Sequence, residues 1–430
     1  MATPYRVGAW LPSDHAHLSH WLKALAEKAN QDKSEFHPSV AKLKHLIETD
    51  AEIYMLFNQM WGQIPNKPPY NRSPTNKPAA RNYLQMLRMI NLVLTHAPEF
   101  LVDEDDQPLG LIGCPINAIL DWAMGTTAGY AAFIQPKVNR HFKDILDAWG
   151  AYLMSPDSAS VLNEKPNGWF GCHAKATKEL KHFDEMYICS PEILHHGFHS
   201  WDDFFTRQFR PGQRPVAAPG DDNVVVNACE SAPFRCSHNV QRFDAFWIKS
   251  QCYSLIHMLD SDPLTDYFEG GTVYQAFLSA LSYHRWHAPV SGRIISIKHI
   301  PGTYYSEPLV EGFNGPDGPD PSGPNDSQGY ITEVATRALV VIQADNPALS
   351  LVGFLAVGMA EVSTCDVTVE VGKHVSKGEQ LGMFHFGGST HCLIFSPKVK
   401  LAFDFHGQTP GLDASNIPIN SAIARVVSET

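Results

Sequence analysis

Near residue 200 the apolar residues of this 430-residue chain change period, and that change limits the fold more than any other feature. Before it, apolar side chains recur every three or four residues, the spacing that gathers them on one face of a helix. In "PKVNRHFKDILDAWGAYLMS" (136–155), Val138, Phe142, Ile145, Leu146, Trp149 and Leu153 form such a stripe behind a proline at the first turn. "HPSVAKLKHLIETD" (37–50), with Ser39 as the expected cap, and "ARNYLQMLRMINLVLTHA" (80–97) read the same way. Stripes of this kind are core rather than chemistry. Proline- and asparagine-rich segments such as 64–78 connect them. After residue 200, short β-branched and aromatic runs ("NVVVNA", "GRIISIKHI", "ALVVIQAD", "LVGFLAVG", "VKLAFDF") alternate with Gly, Pro, Asn and Asp. That is the pattern of antiparallel strands. The chain therefore reads as α+β, with a helical domain over 1–200 and a β-rich, barrel-like or sandwich domain over 201–430.

A formal net charge of −12, with no Lys/Arg run, argues against nucleic acid or anionic lipid as a partner. No window carries the run of about 18 apolar residues that a membrane-spanning helix needs. The first residues lack the charged and apolar regions of a signal peptide and the arginine-rich, acid-poor character of a transit peptide. Eight cysteines without a CxxC pair read as reduced thiols. A cytosolic protein without a membrane anchor is expected. Histidines cluster in "LHHGFHS" (194–200), but neither HExxH nor paired Cys/His spacing accompanies them, so no metal is assigned. "EGFNGPDGPDPSGPNDSQG" (311–329) reads as a structureless loop, a lid or a plain insertion.

Chemistry-bearing residues gather in the second half. "LGMFHFGGSTHCLIF" (381–395) breaks an apolar, aromatic run with Gly387, Gly388, Ser389 and Thr390. A hairpin turn is one reading, because glycine reaches positive φ without a steric penalty. A reactive Gly388–Ser389 bond is the other. "SYHRWHAPVSG" (282–292) holds His284 and His287, which a regular strand would point to opposite faces unless a bulge intervenes. "VNACESAPF" (226–234) isolates Glu230 among small and apolar residues, and "FLAVGMAEVSTCDV" (354–367) places Glu361 after a glycine-broken strand. A serine, a histidine and an acid are the parts of an activated nucleophile. Taken singly, such a triple occurs by chance in chains of this length.

Order and wording add to this. "WDDFFTRQFRPGQRPV" (201–216), "YHRWHAPVSGRI" (283–294), "VGMAEVSTC" (357–365) and "GKHVSKGEQLGMFHFGGST" (372–390) together resemble the phosphatidylserine decarboxylase family over about residues 200–406. The helical half resembles the extension of soluble fungal-type members that decarboxylate free aromatic amino acids, L-tryptophan above all. The resemblance implies that the chain cleaves itself between Gly388 and Ser389. Ser389 Oγ would attack the Gly388 carbonyl, and elimination and hydrolysis would leave a pyruvoyl group in place of pyridoxal phosphate. It implies His287 as the base that activates Ser389, and Glu230, at the family's Asp-Gly position, as the acid that orients His287. His284 is the candidate acid that returns a proton after CO₂ leaves, or else a structural histidine.

Two departures from the family pattern stand out, the first bearing on the rate of maturation and the second on substrate. Gly387 stands where the family has leucine, and Glu361 stands where the lipid enzymes read small or polar. An acid there suits a free ammonium group or an indole N–H. Tyr304 and Tyr305 in "PGTYYSEPL" (301–309) are expected to wall an apolar substrate pocket that loop 311–329 closes. The expected activity is pyruvoyl-dependent decarboxylation of a free aromatic amino acid, L-tryptophan to tryptamine, by two chains that stay together. Phosphatidylserine is the alternative substrate. A non-catalytic lipoyl-barrel-like binding protein is the alternative of another class, suggested by the strand–turn–strand of "VEVGKHVSKGEQLGMF" (369–384) with Lys373 and Lys377.

Overall fold

The apolar stripes of the first half become helices: α1 (His15–Gln31), α2 (Pro38–Thr49), α3 (Ala51–Gln63), α4 (Tyr83–Val93), α5 (Pro115–Met124), α6 (Thr127–Phe133) and α7 (Pro136–Leu153). The computed structural model describes residues 11–12, 14–65, 80–244, 253–309, 327–361, 363–385 and 389–427. Gly387, Gly388 and most of the 311–329 segment lie outside them. Pro136 opens α7, where its missing N–H leaves nothing unsatisfied, and the whole predicted stripe from Val138 to Leu153 is buried. Asp50 caps α3 through the Glu52 and Ile53 N–H groups, and Asn82 caps α4 through that of Gln85. At α2 the expectation of a Ser39 cap is corrected. Pro38 starts the helix a residue earlier, and the His37 ring accepts the Ser39 N–H.

The chain forms two compact units. The first holds these helices, the hairpin β1 (Phe100–Val102) and β2 (Pro108–Leu111), residues Cys189–Phe204 and the described residues from Thr303 to Ser327. Tyr305 is buried in that unit with its ring edge-on to Phe142 at 5.0 Å, and the Tyr304 N–H donates to Asn139 Oδ1 at 3.1 Å. The second unit comprises Glu185–Ile188, Phe205–Gly302 and the chain from Gln328 onward.

Its strands are β3 (Val224–Val226), β4 (Ala232–Val240), β5 (Gly271–Leu278), β6 (Arg285–His287), β7 (Gly292–Ile300), β8 (Arg337–Ala344), β9 (Leu351–Gly358), β10 (Thr364–Val367), β11 (His374–Val375), β12 (Gln380–His385), β13 (Ser389–Phe395), β14 (Leu401–Phe403) and β15 (Ala422–Val426). Seven pair antiparallel in the order β11-β7-β8-β9-β13-β5-β4, and two three-stranded sheets follow the orders β10-β12-β6 and β14-β15-β3. These are open ladders, so the described residues form an α+β fold with no closed barrel. Strand β13 is interior to the large sheet. All seven of its residues are buried and pair with β5 on one side and β9 on the other.

One glycine sets the small sheet against the large one. Gly382 of β12 is paired with Trp286 of β6, and a Cβ there would stand 2.6 Å from the indole and 2.2 Å from the Asp366 carbonyl. With glycine in place, Trp286 packs against Phe384 at 5.0 Å and reaches Phe354 of β9 at 5.4 Å. The lysine turn is structural as well. Lys377 is buried and its ammonium donates to the carbonyls of Ala218, Asp221 and Val224, while Lys373 pairs with Glu379 at 2.7 Å. Lys377 is therefore not the exposed lysine of a lipoyl carrier, whereas Lys373 is exposed and held by its ion pair.

Candidate active site

Ser389 opens β13 between Leu278 of β5 and Gly358 of β9. Its side chain is fully buried, and its hydroxyl has no hydrogen-bond partner among the described residues. Leaving a buried hydroxyl unmatched costs about 1–3 kcal/mol, so the group calls for an explanation. Thr390, on the opposite face, shows the contrast. Its hydroxyl donates to the Ala276 carbonyl at 2.9 Å and accepts from Gln275 Nε2 at 3.0 Å. Gln275 is itself held by Tyr253, whose hydroxyl donates to Oε1 at 2.5 Å, and by the Gln328 carbonyl at 2.9 Å. The start of β13 is therefore fixed, with one polar neighbour fully matched and Ser389 left open.

Paired residues of an antiparallel ladder project to the same face, and so do alternate residues of one strand. Ser389 thus shares its face with His391, Leu278, Ala276, Gly358, Ala356 and Phe354. Ala276 and Ala356 flank His391, while Ser389 stands between Gly358 on one side and Leu278 on the other. The His391 ring is fully buried, 5.9 Å from Phe354, with neither nitrogen hydrogen-bonded among the described residues. Burial holds its pKa down to about 3, so it is neutral.

The layer around Trp286 covers this face. Phe384 N–H donates to the His284 carbonyl at 2.9 Å, which sets His284 opposite Phe384 and on the Trp286 side of its strand. The His284 ring is buried and stacked on Phe205 at 4.0 Å. Burial, reinforced by the Arg207 charge, keeps it well below the usual imidazole range. Cys365 of β10 also sits opposite Phe384, with Sγ 3.7 Å from the Ala356 carbonyl. Glu361 is buried in the turn after β9, three residues beyond the glycine that faces Ser389.

His287, next to Trp286 in β6, points to the other side of that strand. Its Nε2 shares a hydrogen bond with the Tyr283 hydroxyl at 3.1 Å. Tyr283 lies against Phe209 at 4.4 Å, and the Arg214 guanidinium sits 4.5 Å over the same Phe209 ring. Arg214 then forks onto Glu230, with Nη2–Oε1 at 2.6 Å and Nε–Oε2 at 3.0 Å, and Ile419 N–H donates to the same Oε2 at 2.8 Å. Burial lowers the His287 pKa to about 4, with Asn420 acting in the opposite direction.

The residues singled out in the sequence thus fall into separate groups. His287 and Glu230 belong to one cluster, linked through Tyr283, Phe209 and Arg214. Ser389 belongs with His391, and His284 lies in the layer that covers them. The hydrogen bonds that the resemblance implies, Ser389 to His287 and His287 to Glu230, are not formed among the described residues. Tyr304 and Tyr305 pack within the helical unit, and Gly388 lies outside the described residues. His391 escaped the sequence reading because it sits inside an apolar run. Its one signal is a two-residue spacing from Ser389, which in a strand means a shared face.

Comparison with known proteins agrees with this architecture. Two family models described as phosphatidylserine decarboxylase match, one over residues 37–178 and the other over residues 201–409. A decarboxylase of Amanita muscaria, iboD, is 41% identical over 353 residues, covering 79% of this chain and 99% of its own. An L-tryptophan decarboxylase of Psilocybe cubensis is 36% identical over 408 residues, covering 90% of this chain and 88% of its own. Phosphatidylserine decarboxylase proenzyme 3 of Schizosaccharomyces pombe is more distant, 30% identical over 53% of this chain and 22% of its own. Matches of this extent in both halves of the chain make it a decarboxylase and a member of the phosphatidylserine decarboxylase family.

Proposed function

We propose that this decarboxylase cuts its own chain between Gly388 and Ser389 and acts, through a pyruvoyl group left at position 389, on a free aromatic L-amino acid, L-tryptophan first. The observation that carries the reading is the Ser389 hydroxyl, buried at the head of an interior strand with no hydrogen-bond partner among the described residues. Thr390, its neighbour in the same strand, has its hydroxyl matched twice. The names of relatives support the two halves of the proposal: one is an L-tryptophan decarboxylase, and another is a proenzyme.

A pyruvoyl group supplies the carbonyl that takes up the electrons released with CO₂, the part pyridoxal phosphate plays in other enzymes. What supports such a group here is that Gly358 brings no side chain beside Ser389, and Ala276 and Ala356 bring only a methyl each beside His391. The chain's own residues carry the proton chemistry. Serine is a poor nucleophile until a base takes its proton, and burial keeps both His284 and His287 in the neutral form a base requires. His284 lies in the layer that covers the Ser389 face and His287 on its far side, which favours His284 for Ser389, and in this reading the same ring later returns a proton to the carbon that lost CO₂. His287, tied to Tyr283, acts as a positioning group together with Arg214 and Glu230. His391 offers a neutral ring to a polar atom of the substrate, Glu361 offers a carboxylate to its ammonium, and Trp286 and Phe354 offer aromatic surface.

Denaturing electrophoresis with mass analysis tests the first half. The purified protein should give residues 1–388 and a 42-residue chain beginning at position 389, whereas Ser389→Ala should remain one inactive chain. Cleavage persisting in Ser389→Ala would remove the proposed nucleophile. Amine formation tests the second half. Tryptamine should appear from L-tryptophan without added pyridoxal phosphate, and phosphatidylserine vesicles should yield no ethanolamine lipid. The reverse result would leave the cleavage standing and transfer the substrate to the lipid.

A further inference from the structure

Away from Ser389, three other chemistry-bearing side chains converge. Asp184, Cys189 and His196 each bring one ligand atom within 4.8 Å of the other two, and all belong to the helical unit. The histidine run 194–200 showed no metal pattern in the sequence because its partners precede it, at a spacing that fits no standard motif. We propose that Asp184, Cys189 and His196 bind a zinc ion, with the fourth position open to water. This site is independent of the decarboxylase reading.

The distances carry the argument. Tetrahedral zinc holds nitrogen and oxygen at about 2.0–2.1 Å and thiolate sulfur at about 2.3 Å. Those radii set neighbouring N and O ligands about 3.3 Å apart and S and O ligands about 3.6 Å apart. His196 Nδ1 lies 3.3 Å from Asp184 Oδ1, and Cys189 Sγ lies 3.6 Å from the same oxygen. Read instead as a charge-assisted hydrogen bond, the imidazole–carboxylate separation is long, since such pairs close to about 2.7–2.9 Å. These two spacings match edges of a coordination tetrahedron, and the third, sulfur to nitrogen, lies within 4.8 Å.

The surroundings hold the three groups in place. The His196 ring lies flat on Phe170, with centroids 3.6 Å apart and planes within 8°. Phe170 in turn packs edge-on to Phe183, the residue before Asp184, at 5.4 Å. One aromatic cluster therefore aims the imidazole and seats the carboxylate. The loop between the ligands closes through Ser190 N–H to the His196 carbonyl at 2.8 Å and Ile193 N–H to the Ser190 carbonyl at 2.9 Å. It holds His195 and His196 at φ 57° and 54°, a left-handed conformation that few non-glycine residues adopt. That turn brings His196 back beside Cys189. Thiolate, imidazole and carboxylate together suit zinc rather than calcium or magnesium, which take oxygen ligands. The His196 side chain is 6% exposed and that of Asp184 is 43% exposed, so the cluster has one solvent-facing side for a water ligand.

Metal analysis of the full-length protein, purified with micromolar zinc and desalted, tests the proposal. About one zinc per chain is expected, with at least a tenfold loss in Cys189→Ser, His196→Asn and Asp184→Asn. Cobalt(II) loaded in place of zinc should give a thiolate-to-cobalt charge-transfer band that Cys189→Ser lacks. Should Cys189→Ser fail to fold, His196→Asn and Asp184→Asn carry the same comparison. Wild-type protein free of zinc under these conditions overturns the proposal, as does zinc or the cobalt band surviving in all three variants.

Discussion

Acidification from pH 7.5 to 5.5 should weaken the β-rich unit through its buried histidines, and His391 gives the cleanest test. Burial holds His391 down to about 3 and His287 down to about 4, against about 6.5 for an ordinary imidazole. Both folded-state values are depressed, so the fold stays neutral at a pH where the unfolded chain takes up protons. Stability from these groups is complete above about pH 6.5 and is lost as the pH falls toward the folded-state values. Between pH 7.5 and 5.5 an unfolded histidine goes from about 9% to about 91% protonated, which costs the fold about 1.4 kcal/mol for each ring that stays neutral. His391 and His287 together then cost roughly 3 kcal/mol, a sizeable part of the 5–15 kcal/mol typical of a domain, and burial of His284 acts in the same direction. His391→Phe keeps the ring shape and removes one titrating group, so the loss should shrink by about 1.4 kcal/mol. Urea unfolding of Ser389→Ala protein, which stays in one chain, followed by tryptophan fluorescence at both pH values, measures it. An unchanged loss in the His391→Phe variant would show that this ring is not held neutral by the fold.

Three further outcomes follow from the site's geometry. His284→Ala should slow chain cleavage by about 100-fold or more, whereas Tyr283→Phe, which removes only the hydroxyl at His287 Nε2, should slow it a few-fold; equal effects in a time course on gels would return the base to His287. Gly382→Ala should cost about 1–3 kcal/mol in urea unfolding, because its Cβ meets the Asp366 carbonyl and the Trp286 indole, and an unchanged midpoint would mean that the layer gives way easily. Glu230→Gln should destabilise the unit and slow cleavage together, because the Arg214 fork loses its charged partner; in Arg214→Met the same change should matter much less, and equal effects in both backgrounds would deny the coupling.

Much of this fold is written locally. The α7 stripe, its opening proline and the strand runs after residue 200 follow from period and punctuation, and those are properties of neighbouring residues. The site is less legible because it depends on register. His284 and His287 are three apart, and which of them faces Ser389 turns on where β6 pairs with β12. The register shift between Gln380 and Gly382 cannot be seen in either strand alone. The Glu230 partner, Arg214, lies sixteen residues upstream across a turn, so an isolated acid in the sequence is a closed ion pair in the fold. Lys377 looks like a carrier lysine beside its glycine and proves to be a clamp on three carbonyls more than 150 residues away in sequence. Asp184 and Cys189 meet His196 only through a turn made by two left-handed histidines, a conformation that composition does not announce.

The position of Ser389 also decides what a cut before it would leave behind. Most self-processing sites would be expected in loops, where a new end is free to move. Here the residue after the cut is the first of an interior strand, registered along its whole length with β5 and β9. Leu393, Ile394 and Phe395 are fully buried, and each such side chain contributes about 1.5–3 kcal/mol against exposure. The rest of the short chain is fastened at other points. Strand β15 pairs with β3, the Asn227 amide donates to the Ile417 carbonyl at 2.9 Å, and Ile419 N–H donates to Glu230. To leave, the short chain would have to unpair both neighbours of β13 and empty the core between the sheets. The two chains should therefore elute together in native buffer and part only in denaturant. A catalytic group at position 389 would then sit on a rigid element whose walls the cut had not moved, the placement that preorganised chemistry requires. Loss of the 42-residue chain on native gel filtration would break this argument, because a strand that can leave cannot be what holds the site in place.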